Sequence, residues 1–319
     1  MVRQNADLAV LQKRRRRTVG SSWKTQLGYY LMILIPVLWI ILFNYIPMAG
    51  LYMGFIDYKP AKGIFGSKFI GFKNFVEFFK SYDFVRVFRN TLLYNFARIF
   101  LVSLLFGMIF ALLLFEIRSR IATKVYHTCM LLPAFLSWTV VSATLMLFLQ
   151  PDSGIVNGAL KALGMQPISW YREQSYWPTI ILLAMIYKDA GMASIYFYSA
   201  LLSIDTDLFH AANLDGAGRL RQIWYISLPA MSKVFCITLI TSLGSVLSGT
   251  LSPYFELTFN KGELYETTLV LGTYLYNGLG NGRYSFMTAV GLIQSLVGLI
   301  LVLLSNTVVK RIDPESAMF

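Results

Sequence analysis

Long apolar runs alternate with short polar stretches along most of the chain. A bilayer core of about 30 Å is crossed by about 20 apolar helical residues, and several runs reach that length. They lie near 29–56, 88–115, 126–149, 177–202, 232–254 and 285–309. The pattern predicts an all-α, polytopic membrane protein with six transmembrane helices. Proline occurs inside the first run, where a kink is expected rather than a break.

Composition supports a membrane protein and argues against nucleic acid as a partner. The 319 residues are 56% hydrophobic and 14% charged, whereas soluble domains are about half apolar and about a quarter charged. The net charge is +12, but the cluster KRRRR at 13–17 directly precedes an apolar run and no base-reading motif is present. That cluster fits a solvated tail or contact with anionic membrane lipid, and both interpretations stay open.

The six runs divide the chain and suggest an orientation. We expect a basic N-terminal segment at 1–28, a membrane domain at 29–312 and a short tail at 313–319. An even number of spans places both termini on one side. The bias of Lys and Arg favours the cytoplasm for that side, although the loop 57–87 is itself basic. Loop 203–231 is then the longest cytoplasmic loop between spans.

The loop 203–231 reads as helix, turn, helix. Its first helix begins at Asp205 or Thr206, since both residue types accept hydrogen bonds from free backbone N–H groups. Gly216 and Gly218 favour a sharp turn, and a second amphipathic helix follows. By local physics alone, a surface hairpin lying on the lipid explains this loop equally well.

Residues in this loop resemble a motif of permeases in binding-protein-dependent, ATP-driven importers. The motif is written E-A-A, three residues, G, nine residues, I, any residue, L-P, and every spacing fits. The matching residues are Ala211, Ala212, Gly216, Ile226, Leu228 and Pro229, with Asp215 and Ala217 giving the commonest filling around the glycine. His210 stands where the family usually has the acidic residue.

Further segments resemble the sugar branch of the same family. FIGFKNFVEFF (69–79), RNTLLYN (89–95), GIVNGAL (154–160) and YKDAG (187–191) look like its loops and spans. The segment 273–311 looks most like the branch that handles oligosaccharides and polysaccharide fragments. The resemblance covers roughly 29–312.

The resemblance implies a type I ABC importer permease fold in a bacterial cell membrane, with both termini cytoplasmic. The chain would form half of the translocation path for a carbohydrate, expected to be an oligosaccharide. Its implied partners are a second, non-identical permease, a dimer of ATPase subunits and an extracellular solute-binding protein. Loop 203–231 would dock on the ATPase, and ATP and magnesium would bind in those partner subunits.

The chain itself offers no catalytic constellation. It has no G-x-x-x-x-G-K phosphate loop, two histidines and no metal-binding motif, so we expect a transport subunit that is not an enzyme and binds no metal or cofactor itself. Two alternatives remain from the sequence: a permease of the same machinery for a non-sugar solute, and a stand-alone channel or secondary carrier.

Candidates for the substrate path come from polar residues within apolar runs. A charge at bilayer depth costs about 2.5–3.5 kcal/mol on insertion scales, so Lys188 and Asp189 in the fourth run call for a role. Asp189 either lines the cavity or is packed, and Lys188 either joins the path or pairs with another helix. We place Arg98, in the second run, at the outer interface.

A stripe of small and hydroxyl residues marks the fifth run. Ser242, Ser245 and Gly249 share one helical face, which suits either sugar contact or close helix packing. Tyr187 and Tyr196 in the fourth run could supply aromatic platforms, although tyrosines at this depth are often only packed.

Overall fold

The computed structural model describes residues 23–244, 246 and 251–312. Over that part the chain is mainly helical and contains one small sheet, and four uninterrupted helices are long and apolar enough to cross a bilayer. These are Gln26–Phe55, Tyr82–Phe115, Gln174–Leu202 and Tyr284–Val308. Two bent pairs, Arg120–Phe135 with Trp138–Leu149 and Arg219–Ala230 with Ser232–Leu243, raise the number to six if each pair is one span.

Shorter elements connect these helices. The connecting helices are Gly63–Gly66, Lys73–Lys80, Ile155–Ala162, Thr206–Leu214, Tyr254–Thr258, Tyr265–Thr268 and Leu271–Gly280. Strands Ile56–Lys59 and Ser67–Phe69 form an antiparallel ribbon in which Ile56 pairs with Phe69.

The described residues fall into two compact units. The first contains the described residues up to Met53 and the segment Tyr58–Ser67. In it, the helix Trp23–Ile40 passes through Pro36 and continues into a wider π-helical turn, Ile41–Tyr45. The second unit contains Gly54–Asp57 and everything described from Lys68 onward. All the candidate site residues discussed below belong to this second unit.

The predicted spans agree with the helices to different degrees. The fourth is confirmed, because its helix runs from Trp177 to Leu202. The second begins earlier than expected, at Tyr82, because its first turns are amphipathic rather than uniformly apolar. The fifth was expected to reach 254, but the residues 245 and 247–250 lie outside the described part of the chain.

The third predicted span, 126–149, is not one continuous helix. Its two halves meet at 96°. Pro133 lacks the N–H group that would continue the helix, and the backbone tightens into a 3₁₀ turn at Leu132–Phe135. Ser137 then caps a new helix by accepting a hydrogen bond from the Val140 amide at 3.2 Å.

The fourth helix, Trp177–Leu202, is the central element of the second unit. It packs against Gly107–Phe115 in the second span helix and against Arg120–Phe135, the first half of the broken third span. Ile181, Phe197 and Leu201 are fully buried along it. It contacts the break closely at Gly191, where any side chain would overlap the carbonyl of Met130.

Buried amide and hydroxyl side chains hold the loops by binding backbone groups. Asn90 donates to the carbonyls of Glu266 and Leu269 at 3.0 and 3.2 Å. Thr91 accepts from the Leu271 amide at 2.8 Å, so the start of the second span helix fixes the segment before the sixth.

Asn157 holds the loop between the third and fourth spans by binding its backbone groups. Its side chain is completely buried. It donates to the carbonyls of Pro151 and Ile168 and accepts from the Ile168 amide and the Trp170 indole, all at 2.9–3.1 Å. The Asn157 side chain therefore joins the two ends of the loop segment 151–168.

Candidate coupling loop and translocation path

The loop 203–231, which we call the coupling loop, has the predicted helix-turn-helix form. Its first helix spans Thr206–Leu214 and begins at Asp205, whose carboxylate accepts from the Asp207 amide at 3.0 Å. The second starts at Arg219 and runs to Ala230, passing through a π-helical stretch at Ile223–Ser227. Pro229 therefore lies inside the end of the second helix rather than terminating it.

Gly216 closes the first helix in a left-handed conformation. Its φ is 72°, a region that residues with a Cβ enter at a cost. The Gly216 amide donates to the Asn213 carbonyl at 3.1 Å, and the Ala217 amide donates to the Ala212 carbonyl at 2.9 Å. These two bonds form the Schellman arrangement that satisfies the last carbonyls of a helix.

Gln222 ties the two helices of the coupling loop together, and the sequence reasoning missed it. Its buried amide donates to the side-chain oxygen of Asn213 at 2.6 Å and to the Ala217 carbonyl at 3.0 Å. The residue falls within the nine positions that the motif leaves unspecified. Only a polar residue among apolar neighbours could have indicated it.

The coupling loop is also fastened to the end of the second span helix. Arg219 forms an ion pair with Glu116. The rings of Phe115 and Phe209 lie 5.7 Å apart. A displacement of the loop will therefore act directly on the second span.

Much of the coupling loop surface is apolar and exposed. Leu214, Trp224 and Tyr225 are exposed over 91%, 67% and 78% of their area. Of the motif residues, the exposed ones are His210, Ala211, Asp215, Gly216 and Pro229, while Ala212, Ala217, Ile226 and Leu228 are half-buried. A cavity of about 240 Å³ opens between Ala212, Asp215, Ala217 and Ile226. Large exposed apolar side chains beside a concave surface are typical of a protein interface.

Lys188 is held at the break in the third span. Its ammonium group donates to the carbonyls of Ala134 and Leu136 at 2.8 and 2.5 Å and lies 5.5 Å from the centre of the Trp138 ring. The break leaves those carbonyls without helical partners. These contacts favour the structural interpretation of Lys188.

Asp189 is half-buried on the next position of the same helix. Its carboxylate interacts electrostatically with Lys188 and Arg98. Arg98 lies midway along the helix Tyr82–Phe115, and the apolar run that follows it, 99–115, is nearly long enough to cross the bilayer by itself. Its position at the outer interface stays a prediction.

Two of the predicted path residues share one cavity. A space of about 610 Å³ lies between the second, fourth and fifth spans, and both Tyr196 and Ser242 line it. Hydroxyl groups that the sequence reasoning missed also line it: Ser103, Ser199, Thr238 and Thr241. The spacing of Thr238, Thr241 and Ser242 on one helical face was the available signal. We call this space the hydroxyl-lined cavity.

The other predicted path residues are not among those that line the hydroxyl-lined cavity. Tyr187 lines a separate cavity of about 560 Å³, whose other lining residues are largely apolar and come from the third span, the loop after it and the fourth span. Ser245 and Gly249 lie outside the described residues. Among the residues that the structure describes, no group of three His, Cys, Asp or Glu side chains could hold a metal ion.

The chain matches known transport proteins over most of its length. Residues 103–317 match the family described as "Binding-protein-dependent transport system inner membrane component". Polygalacturonan/rhamnogalacturonan transport system permease protein YteP of Bacillus subtilis (strain 168) is 35% identical over 314 residues, covering 97% of this chain and 96% of the relative.

Solved structures of transport proteins also match this chain over most of its length. A bacterial ABC transporter involved in the import of the acidic polysaccharide alginate matches with a TM-score of 0.83 and 31% identity, over 91% of this chain and 97% of the other. The alginate transporter in complex with alginate pentasaccharide-bound periplasmic protein matches with a TM-score of 0.82, also at 31% identity, over 92% and 98%. The predicted helical permease fold is therefore confirmed, while the exact number of spans stays a prediction.

Proposed function

The chain belongs to the family of inner membrane components of binding-protein-dependent transport systems, and from this premise we propose that it carries an oligosaccharide through a bacterial cell membrane. As a permease subunit it forms half of a translocation path. The observation that carries the proposal is the match over nearly the whole chain with a permease for polygalacturonan and rhamnogalacturonan and with transporters of alginate. All three cargoes are polysaccharides.

The hydroxyl-lined cavity supports a sugar as the cargo. Sugars are held by hydrogen bonds to their hydroxyl groups and by aromatic faces against their rings. Tyr196 is 60% exposed at this cavity, and serine and threonine hydroxyls surround it. We assign Tyr196, Ser242, Ser245 and Gly249 to the sugar path, and we add Asp189 as a charged residue of the same fourth span.

The proposed assembly has three kinds of partner. A second permease completes the path, two ATPase subunits bind ATP and magnesium on the cytoplasmic side, and an extracellular binding protein delivers the sugar. The coupling loop docks on an ATPase subunit through its exposed apolar side chains. This arrangement places both termini in the cytoplasm and counts each bent pair as one span, giving six.

Reconstitution with the proposed partners tests this function. The chain, purified with its second permease and ATPase subunits and placed in liposomes, should hydrolyse ATP faster when binding protein loaded with oligogalacturonate is added. Uptake of the sugar should accompany the stimulation, because binding-protein docking and ATP-driven closure are coupled through the permeases. A chain that purifies without an ATPase, or transports sugar without ATP, would instead be a carrier or channel.

Asp189→Asn should lower uptake about tenfold, corresponding to roughly 1.4 kcal/mol on the rate-limiting step. The substitution keeps the size of the side chain but removes the charge that interacts electrostatically with Lys188 and Arg98. Assembly with the ATPase should be unchanged, which copurification will show. Asp152→Asn, at an exposed position in an outer loop, is the matched control. Wild-type uptake by Asp189→Asn would mean that this carboxylate is dispensable.

A further inference from the structure

A cleft on the side opposite the coupling loop combines an aromatic floor with two cations. It has a volume of about 360 Å³ and is lined by Gln150, Ser169, Tyr171, Arg172 and Lys261 among others. The Lys261 ammonium lies 5.0 Å from the centre of the Tyr171 ring. We call this space the basic cleft.

The cations of the basic cleft are not neutralised by the protein. Within the described part of the chain, neither Arg172 nor Lys261 forms an ion pair. Other arginines on the same side do: Arg86 and Arg89 pair with Glu266, and Arg283 pairs with Glu77. The cleft therefore keeps positive charge that neighbouring surfaces cancel, and it attracts anions.

One wall of the basic cleft is held in a strained backbone conformation. Phe259 and Asn260 both have left-handed φ angles, 51° and 50°. Asparagine enters this region readily, but for phenylalanine it is a genuine outlier. The turn brings Phe259 to 5.8 Å from the Tyr171 ring and directs Lys261 over the same ring. Strain of this kind persists only where the surrounding structure enforces it, and it concentrates at functional sites.

Neighbouring side chains hold the left-handed backbone at Asn260. The Asn260 side-chain amide donates to the side-chain oxygen of Asn277 at 2.8 Å and accepts from the Asn277 amide at 3.2 Å and from the Tyr265 hydroxyl at 2.9 Å. On the opposite wall, Asn157 fixes the backbone at Ile168 and the Trp170 indole. The cleft is thus rigid on both sides, which favours ligand binding because little ordering remains to be done.

The floor is a tyrosine held by its neighbours. The Tyr171 hydroxyl is buried and makes no hydrogen bond to the described residues, and the Tyr171 ring lies 5.0 Å from the ring of Trp177. Burial raises the pKa of Tyr171 to about 12, so this side chain adds no negative charge to the cleft at neutral pH. An aromatic ring and two cations together match a sugar ring that carries a carboxylate.

We propose that the basic cleft is an entry site for uronic-acid oligosaccharides, in which Arg172 and Lys261 bind the carboxylate and Tyr171 stacks on the sugar ring. This site selects cargo by charge before the cargo reaches the hydroxyl-lined cavity. The inference rests on the proposed sugar import and adds the substrate class and the residues that recognise it.

Protection of a reporter thiol tests the site in the complete transporter. In a background of Cys129→Ser and Cys236→Ser, Ser169→Cys places a thiol in the cleft, and methyl methanethiosulfonate is an uncharged probe of its accessibility. With a Kd of about 5 mM, about 10 mM trigalacturonate should slow the modification about threefold, the factor 1 + [L]/Kd. Its methyl ester, with the same rings and no charge, should give no protection.

Charge substitutions complete the test. Adding Arg172→Gln and Lys261→Gln to the reporter chain should abolish protection, whereas Lys161→Gln, an exposed cation on Ile155–Ala162 outside the cleft, should preserve it. Absence of protection, or equal protection by the ester, would overturn the proposal. Protection that requires the binding protein and ignores the sugar would also overturn it, by making the cleft a docking point for that protein.

The same preparation separates this inference from the proposed function. If loaded binding protein stimulates ATP hydrolysis but trigalacturonate does not protect the thiol, the result supports sugar import and contradicts the entry site. If stimulation is absent although the ATPase is bound, the proposed import itself fails.

Discussion

Gly216→Val should leave the protein in the membrane but abolish sugar-stimulated ATP hydrolysis and uptake. Gly216 has a φ of 72° and no atom within 4 Å of the position a Cβ would occupy, so the effect arises from the backbone rather than from a clash within this chain. A β-branched residue at this φ costs about 1–3 kcal/mol. The turn relieves that strain by opening the bonds that join Ala217 to Ala212 and Gly216 to Asn213, and the docking surface is lost.

Gly218 provides a matched control two residues away. It also has open space around it, but its φ of −69° and ψ of 165° are ordinary extended values. Gly218→Val should therefore reduce coupling far less, and Gly216→Asn should be intermediate because asparagine tolerates left-handed backbone. His210→Ala should also be mild, since the acidic residue usual in the family is already missing. Stimulation of ATP hydrolysis by loaded binding protein measures all four variants, and normal coupling in Gly216→Val would contradict the docking role of the loop.

Lys188→Met should destabilise the assembled permease by about 3 kcal/mol, since each hydrogen bond to a charged group contributes about 1.5–3 kcal/mol. Methionine fills a similar volume but leaves the carbonyls of Ala134 and Leu136 unpaired at the break in the third span. We expect the two halves of that span to lose their fixed angle, with lower thermal stability and little uptake. The melting temperature of the purified complex is the direct measurement.

Lys161→Met is the control for the loss of one positive charge, because Lys161 is exposed. Its complex should melt at the wild-type temperature. If Lys188→Met also melts there and transports normally, the ammonium does not hold the break, and the charge in the fourth helix would need another explanation.

The family was predictable from the sequence because its signals are local. The spacing of the coupling loop motif depends on a helix end, a glycine turn and a second helix, all of which neighbouring residues determine. The predicted resemblance is confirmed by the family match, and the left-handed Gly216 and the cap at Asp205 agree with their predicted roles.

The break in the third span was not predicted because hydropathy reports the composition of a segment and not the direction of its backbone. Pro133 and Ser137 were visible in the sequence, but the first span contains prolines without a comparable break. The difference lies in Lys188 and Gly191, which come from another helix and satisfy or accommodate the interrupted backbone. Such partners are set by tertiary packing, which one sequence does not reveal.

The substrate path was only partly predictable for a similar reason. Helical spacing places Thr238, Thr241 and Ser242 on one face, but it does not say which neighbouring helix that face meets. Tyr196 faces this cavity and Tyr187 faces another, although both are tyrosines on one helix. The rotation of that helix against its neighbours decides between them.

The buried amide of Asn157 has a practical consequence for engineering this transporter. Asn157 joins the two ends of this loop, and the residues from 161 to 167 between those ends are exposed. The Met165 amide donates to the Leu160 carbonyl at 2.9 Å and completes the end of the helix Ile155–Ala162. The backbone at Gly164 is surrounded by open space. An epitope or a fluorescent label inserted in this exposed segment would report on the transporter from the loop between its third and fourth spans, while Asn157 continues to join the ends of that loop.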